Sequence, residues 1–399
     1  MKQIINILAL CMLVTFLQCC KEEGRLDYLD SSSTIPKQVS EVKVKNTPGG
    51  AIITYKIPTD ESLSYVKAVY EIQTGTVSET KSSIYSDTLV VNGFGDTNKY
   101  TVKLYSVGKN EKVSEPISVD INPLTPPVIS ALKKLTMRAS FGGVKINLEN
   151  ELKADLAIVL MADTTGKGYF SELQTFYSKA PSVSFSYRGM VPVQRKFKVY
   201  LRDRWNNKSD AIIADLTPLF EELVPKPFVL LTLPGDTNTP VTTGYSVPNI
   251  WDGLVNVNIF ASPWTSKMPQ WFTFDLKTSV VLSRLKEHQR GSSFTYTGSN
   301  VKAFELWGSN NPDSDGGWKN WVLLGKFNSF KPSGLPLGQM TADDYAYGFT
   351  NGEDFEIDSD TYPAAKNPVR YLRFKTTETY GGGVQVTIGE VTFWGQIIK

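Results

Sequence analysis

Gln270-Trp271-Phe272-Thr273-Phe274-Asp275-Leu276 places an apolar side chain at every second position, in Phe272, Phe274 and Leu276. That is the period of a strand with one face buried, because successive side chains point to opposite sides of the backbone. The same period recurs outward along the chain in Phe304 with Leu306, Leu372 with Phe374, and Val391 with Phe393. Between these runs lie Asn310-Asn311-Pro312-Asp313 and Asp315-Gly316-Gly317, clusters that punctuate strands rather than helices. Two packed antiparallel sheets sharing one core are the expected result.

Around that strand stand further blocks in fixed order. Asn249-Ile250-Trp251-Asp252-Gly253 and Ser262-Pro263-Trp264-Thr265-Ser266 precede it, and Leu282-Ser283-Arg284-Leu285 leads on to Gln289-Arg290. Phe304-Glu305-Leu306-Trp307-Gly308-Ser309, Val369-Arg370-Tyr371-Leu372-Arg373-Phe374 and Glu390-Val391-Thr392-Phe393-Trp394-Gly395 complete the series. In this order the blocks resemble the discoidin family, the galactose-binding-like jelly-roll sandwich of coagulation-factor C domains and many bacterial carbohydrate-binding modules. Lys277 departs from the family, which usually has glycine after Asp-Leu.

A second pattern lies upstream. Pro48-Gly49-Gly50-Ala51-Ile52-Ile53 is echoed by Phe141-Gly142-Gly143-Val144-Lys145-Ile146, Lys99-Tyr100-Thr101-Val102 by Lys196-Phe197-Lys198-Val199, and Pro123-Leu124 by Pro218-Leu219. The offsets of 93, 97 and 95 residues each match one immunoglobulin-like or fibronectin-type-III sandwich. Proline-marked joints at 123–127 and 218–227 separate the pieces. The fold expected is all-β: two tandem immunoglobulin/fibronectin-III-like sandwiches at 35–123 and 124–218, then a discoidin-like jelly roll at 227–399. The repeats read as spacers, and 202–208 in the second as a solvated turn.

The first residues, 1–19, have the charged start and short apolar run of a secretory signal. Leu17-Gln18-Cys19-Cys20 resembles the lipobox of bacterial lipoproteins, with Cys20 as the lipidated residue. Lys21-Glu22-Glu23 resembles the export signal that sends Bacteroidetes lipoproteins to the outer face of the outer membrane, and 20–34 reads as a tether. All three cysteines, Cys11, Cys19 and Cys20, fall in or at the end of this leader, so the remainder holds no disulfide.

With 42 basic and 40 acidic residues among 399, the net charge of +2 carries no bulk signature of nucleic-acid binding. One histidine in the whole chain leaves no room for a histidine-dependent triad or a multi-histidine metal site. Sugar recognition needs flat apolar surface for the C–H face of a pyranose and forked donors for its hydroxyls. Trp264, Arg290, His288, Trp318 and Tyr380 stand in inter-strand loops of the last domain and are the candidate carbohydrate contacts. The discoidin resemblance further implies a structural Ca²⁺ held by Asp252 and Glu390. The expectation is a non-catalytic glycan-binding surface lipoprotein of a polysaccharide-uptake system, with an outer-membrane transport complex as partner. An adhesion or assembly protein with a protein partner is the alternative, and a glycosidase with a hidden carboxylate pair stands third.

Overall fold

The computed structural model describes residues 34–255 and 258–398. Cys20 and Lys21-Glu22-Glu23 lie outside the described residues. No helix among those described is long and apolar enough to cross a membrane. The residues divide into two compact units, one of 34–137, 146–185 and 196–214, the other of 138–145, 186–195 and 215–398.

The first sandwich has seven strands. Ser40–Thr47, Gly50–Lys56 and Thr88–Asn92 make a three-stranded sheet, and Leu63–Gln73, Thr76–Ser83, Tyr100–Gly108 and Ile117–Ile121 a four-stranded one. Its core is the inward set that alternation selects: Ala51, Ile53 and Tyr55 from one sheet meet Val66, Ala68, Val102 and Leu104 from the other. The next segment repeats the plan, with Leu135–Ser140, Gly143–Glu149 and Ser182–Tyr187 in one sheet. Ser171–Ser178, Leu156–Ala162, Arg195–Arg202 and Lys208–Leu216 form its other sheet.

The sequence echo is a backbone echo. Gly49 and Gly142 adopt the same left-handed turn, φ +66° and +64°, which costs glycine nothing. Each donates its N–H to the carbonyl of the echoed leucine, Gly49 to Leu124 and Gly142 to Leu219, both at 2.9 Å.

In the last domain the strand Gln270–His288 is the axis. Its first part pairs with Val229–Leu231 and Val369–Thr379, its second with Glu390–Ile398 and Glu353–Glu356. The changeover falls at Lys277, which takes the left-handed φ of +65° itself and donates its N–H to Asp275 Oδ1 at 2.7 Å. The geometry that glycine usually supplies is thus kept by a lysine beside an aspartate acceptor. Phe272, Phe274 and Leu276 are buried with Phe304, Leu306, Leu372, Phe374, Val391 and Phe393, the inward set read from the alternation. Parity then sends the neighbours outward: Trp307 Nε1 donates to Glu305 at 3.0 Å, and Arg284 stacks on Trp394 at 3.7 Å.

The sheet also takes up chain upstream of 227. Glu222–Leu223 pairs with Gly395 and Trp394, and Val224 is fully buried in this core.

Candidate carbohydrate-binding loops

Three loops meet, at 262–269 ahead of the axial strand, at 289–300 beyond it and at 380–387. Ser262 donates its N–H to the Val386 carbonyl and accepts the Val386 N–H on its hydroxyl, both at 2.9 Å. Asn300, buried, works as the hub of the second loop: its Oδ1 accepts the Arg290 N–H at 2.8 Å and the Thr387 hydroxyl at 3.2 Å. Its amide donates to the Phe294 carbonyl at 2.6 Å. Gly381 donates to the Gly298 carbonyl at 2.7 Å, and a Cβ on Gly381 would fall 2.9 Å from that oxygen, so the backbones can close only with glycine there.

On this scaffold Trp264 presents an indole that is 72% exposed, a large apolar surface that folding leaves in water. Arg290 lies with its guanidinium 3.6 Å over the ring of Phe294, itself 43% exposed. Stacking engages the face of a guanidinium and leaves its N–H edge as the fork for hydroxyl acceptors. Phe294 was not among the candidates read from sequence. Its signal was an aromatic residue directly after Gly291-Ser292-Ser293, outside any alternating run.

The other candidates sit differently. His288 is buried, and its Nδ1 meets the Phe349 carbonyl at 2.7 Å, a contact that ties the axial strand to 346–350. Burial pushes its pKa below the usual value. It is a structural residue, which corrects the expectation of a sugar contact. Tyr380 donates its hydroxyl to Ser329 Oγ at 3.0 Å and sets its ring edgewise on Tyr296, and burial raises its pKa. It buttresses the loop from below.

Trp318 does not join the loop end. It folds over the outer face of the sheet, 5.5 Å from Trp271 and 5.1 Å from Trp307, with the Arg373 guanidinium 4.3 Å from its ring. Arg373 is fully buried and donates to Thr273 Oγ1 and the Gly317 carbonyl, both at 3.0 Å. A buried cation needs such partners, and the tryptophan is one of them.

The Ca²⁺ expectation meets a lysine. Glu390, buried, takes the Lys226 ammonium on Oε1 together with the Gly253 N–H at 3.2 Å, while Lys226 also donates to Thr392 Oγ1 at 2.8 Å. Asp252 is spent on the Leu254 N–H and the Asn258 amide, both at 2.7 Å. No group of three or more His, Cys, Asp or Glu is placed to hold a metal among the described residues. The side chain of Lys226 brings positive charge to Oε1 of Glu390, where the resemblance implies an ion.

Comparison with known proteins bears on 36–227 and 249–395. Three family models match in succession: DUF4959 at 36–123, DUF5126 at 124–227 and DUF5000 at 249–395, each described as a domain of unknown function. None of the curated proteins matches. Among solved structures, the F5/8 type C domain of a Bacteroides fragilis protein is 10% identical, covers 44% of this chain and 100% of its own, and has a TM-score of 0.28. A GH31 CBM32-2 bound to GalNAc is 12% identical, covering 43% of this chain and 100% of its own, with a TM-score of 0.28. A SusE-like protein is 30% identical across 68% of this chain and 100% of its own, with a TM-score of 0.44. Since identity at that level runs through the whole of the relative, it is on sequence that the chain belongs to the SusE-like proteins.

Proposed function

We propose that this is a non-catalytic, glycan-binding surface protein that holds saccharide for an uptake system, with the loops around Trp264 and Arg290 as its binding face. The observation that carries the reading is the exposed Trp264 ring on a loop tied through Val386 and Thr387 to the loop of the stacked Arg290–Phe294 pair. A flat indole offers the C–H face of a pyranose an apolar partner, and the guanidinium edge offers its hydroxyls donors. Membership of the SusE-like proteins supports the same reading. Lipidation at Cys20 and an outward position on the outer membrane belong to this proposal and rest on the leader sequence. A glycan array on the purified chain, followed by calorimetry of Trp264→Ala against the best binder, tests it. Binding that survives that change with an unaltered melt removes these loops from the site.

A further inference from the structure

The loop between the strands Arg195–Arg202 and Lys208–Leu216, which reads as a solvated turn in the sequence, is held rigidly. Asp203 Oδ1 accepts the N–H groups of Trp205 and Asn207, both at 2.9 Å, and its Oδ2 accepts the Asn207 amide at 2.9 Å. Asn207, buried, donates to the Gly93 carbonyl at 3.0 Å and accepts from Gln73 Nε2 at 2.8 Å. Trp205 lies so close to Gly93 that a Cβ there would be 3.0 Å from the indole. On this base the exposed Arg204 rests with its guanidinium 4.1 Å from the Trp205 ring.

Two hollows share Arg204 in their lining. One, of about 410 Å³, has Pro48, Phe94, Leu152 and Trp205 as apolar lining and Lys153 and Lys179 at its edge. The other, of about 370 Å³, is lined by Tyr177, which is 69% exposed, and by Arg202. Each is within the size range of small-ligand pockets. Asp155 and Asp203 line both. Asp155 pairs with Lys179 at 3.2 Å, and both oxygens of Asp203 are taken up inside its own loop. Lys153, Lys179, Arg202 and Arg204 thus set four positive charges against the two negative charges of Asp155 and Asp203, and the lining of the groove is net positive.

We propose that this groove is a second saccharide site, for a chain bearing carboxylate or sulfate groups, with Arg204 between two adjoining sugar positions. It rests on the reading of the protein as a glycan binder. Apolar lining and the Tyr177 ring suit pyranose C–H faces, and forked arginines suit planar or tetrahedral oxyanions. The test is calorimetry of the full chain against oligogalacturonides and dextran sulfate, with carboxyl-reduced oligogalacturonides and plain dextran as neutral controls. The expected result is salt-sensitive binding of a charged probe alone, the two charged arms telling uronate from sulfate. Arg204→Ala should weaken it about tenfold, as loss of a charged hydrogen-bonding group does. Tyr177→Ala should weaken it too, and Trp264→Ala should leave it unchanged. Equal binding of the neutral controls, no binding of either charged probe, or full affinity in Arg204→Ala with an intact melt overturns the proposal. Neutral glycan still held through Trp264 would then show that only this second site has failed, whereas an array with no bound saccharide at all would remove the broader reading.

Discussion

Glu287 and Glu353 stand directly opposite one another on paired antiparallel strands, and both side chains are buried. Burial, with Glu353 adding to it, raises the Glu287 pKa. Burial likewise lifts Glu353 to about 7, against the pull of the Ser329 hydroxyl and the Phe330 N–H. Folded protein thus binds more protons than unfolded chain between the ordinary 4.5 of Glu353 and about 7, so its contribution to stability is full below that window and is lost as pH rises through it. At about 1.4 kcal/mol per unit the loss is roughly 3 kcal/mol. Thermal melts should fall from pH 5 to pH 8, and Glu353→Gln should flatten that slope by raising the melt at pH 8. A slope unchanged in the variant would count against the pair as its source.

Trp264→Ala should weaken glycan binding by about five- to thirtyfold, the worth of an aromatic platform of roughly 1 to 2 kcal/mol. Single-module affinities of about 0.1 to 1 mM leave little to lose, so calorimetry should barely detect the variant. Its melting temperature should not move, since the ring is exposed.

Arg290→Lys keeps the charge and loses the fork, and Phe294→Ala keeps the fork and loses its support. Both should weaken binding by several-fold, about 1 kcal/mol each. Retained affinity in Arg290→Lys would show that charge alone suffices.

Calcium or a chelator should leave the melt where it is, because Lys226 serves Glu390 in the place of an ion. Lys226→Met strands a buried carboxylate and should cost on the order of 3 kcal/mol. A calcium-dependent rise in the wild-type melt would contradict this.

A fragment beginning at 227 lacks Val224, Lys226 and the strand Glu222–Leu223. It should melt lower than one beginning at 215, by roughly 5 to 10 °C given the buried valine and the lost ion pair. Equal melts would make the upstream strand ornamental.

Alternation in Phe272, Phe274 and Leu276 was enough to foretell the core, because the period of a strand is a local property. The same parity could have turned Trp307 and Trp394 outward, since Leu306 and Phe393 point in. Lys277 was legible as an exception and not as its own solution, which depends on Asp275. His288 and Trp318 misled because their partners, Phe349 and Arg373, lie more than fifty residues away in sequence, and nothing beside them marks the debt of a buried carbonyl or a buried guanidinium. Trp264 remained legible as exposed because a proline-bounded loop offers it nothing to pack on.

The axial strand gives the last domain a mechanical character. Residues 289–300 continue directly from His288, so a pull on ligand held there enters the domain through the 279–288 part of the axial strand, beyond the turn at Lys277. That part is bonded along its length to Glu390–Ile398 and over its last residues to Glu353–Glu356, and tension along it loads their hydrogen bonds side by side rather than one after another. A rope gripped along its whole length resists a tug better than a zip opened from one end. Drag on a long polysaccharide would therefore detach the sugar from its loops well before it unravelled the sandwich behind them.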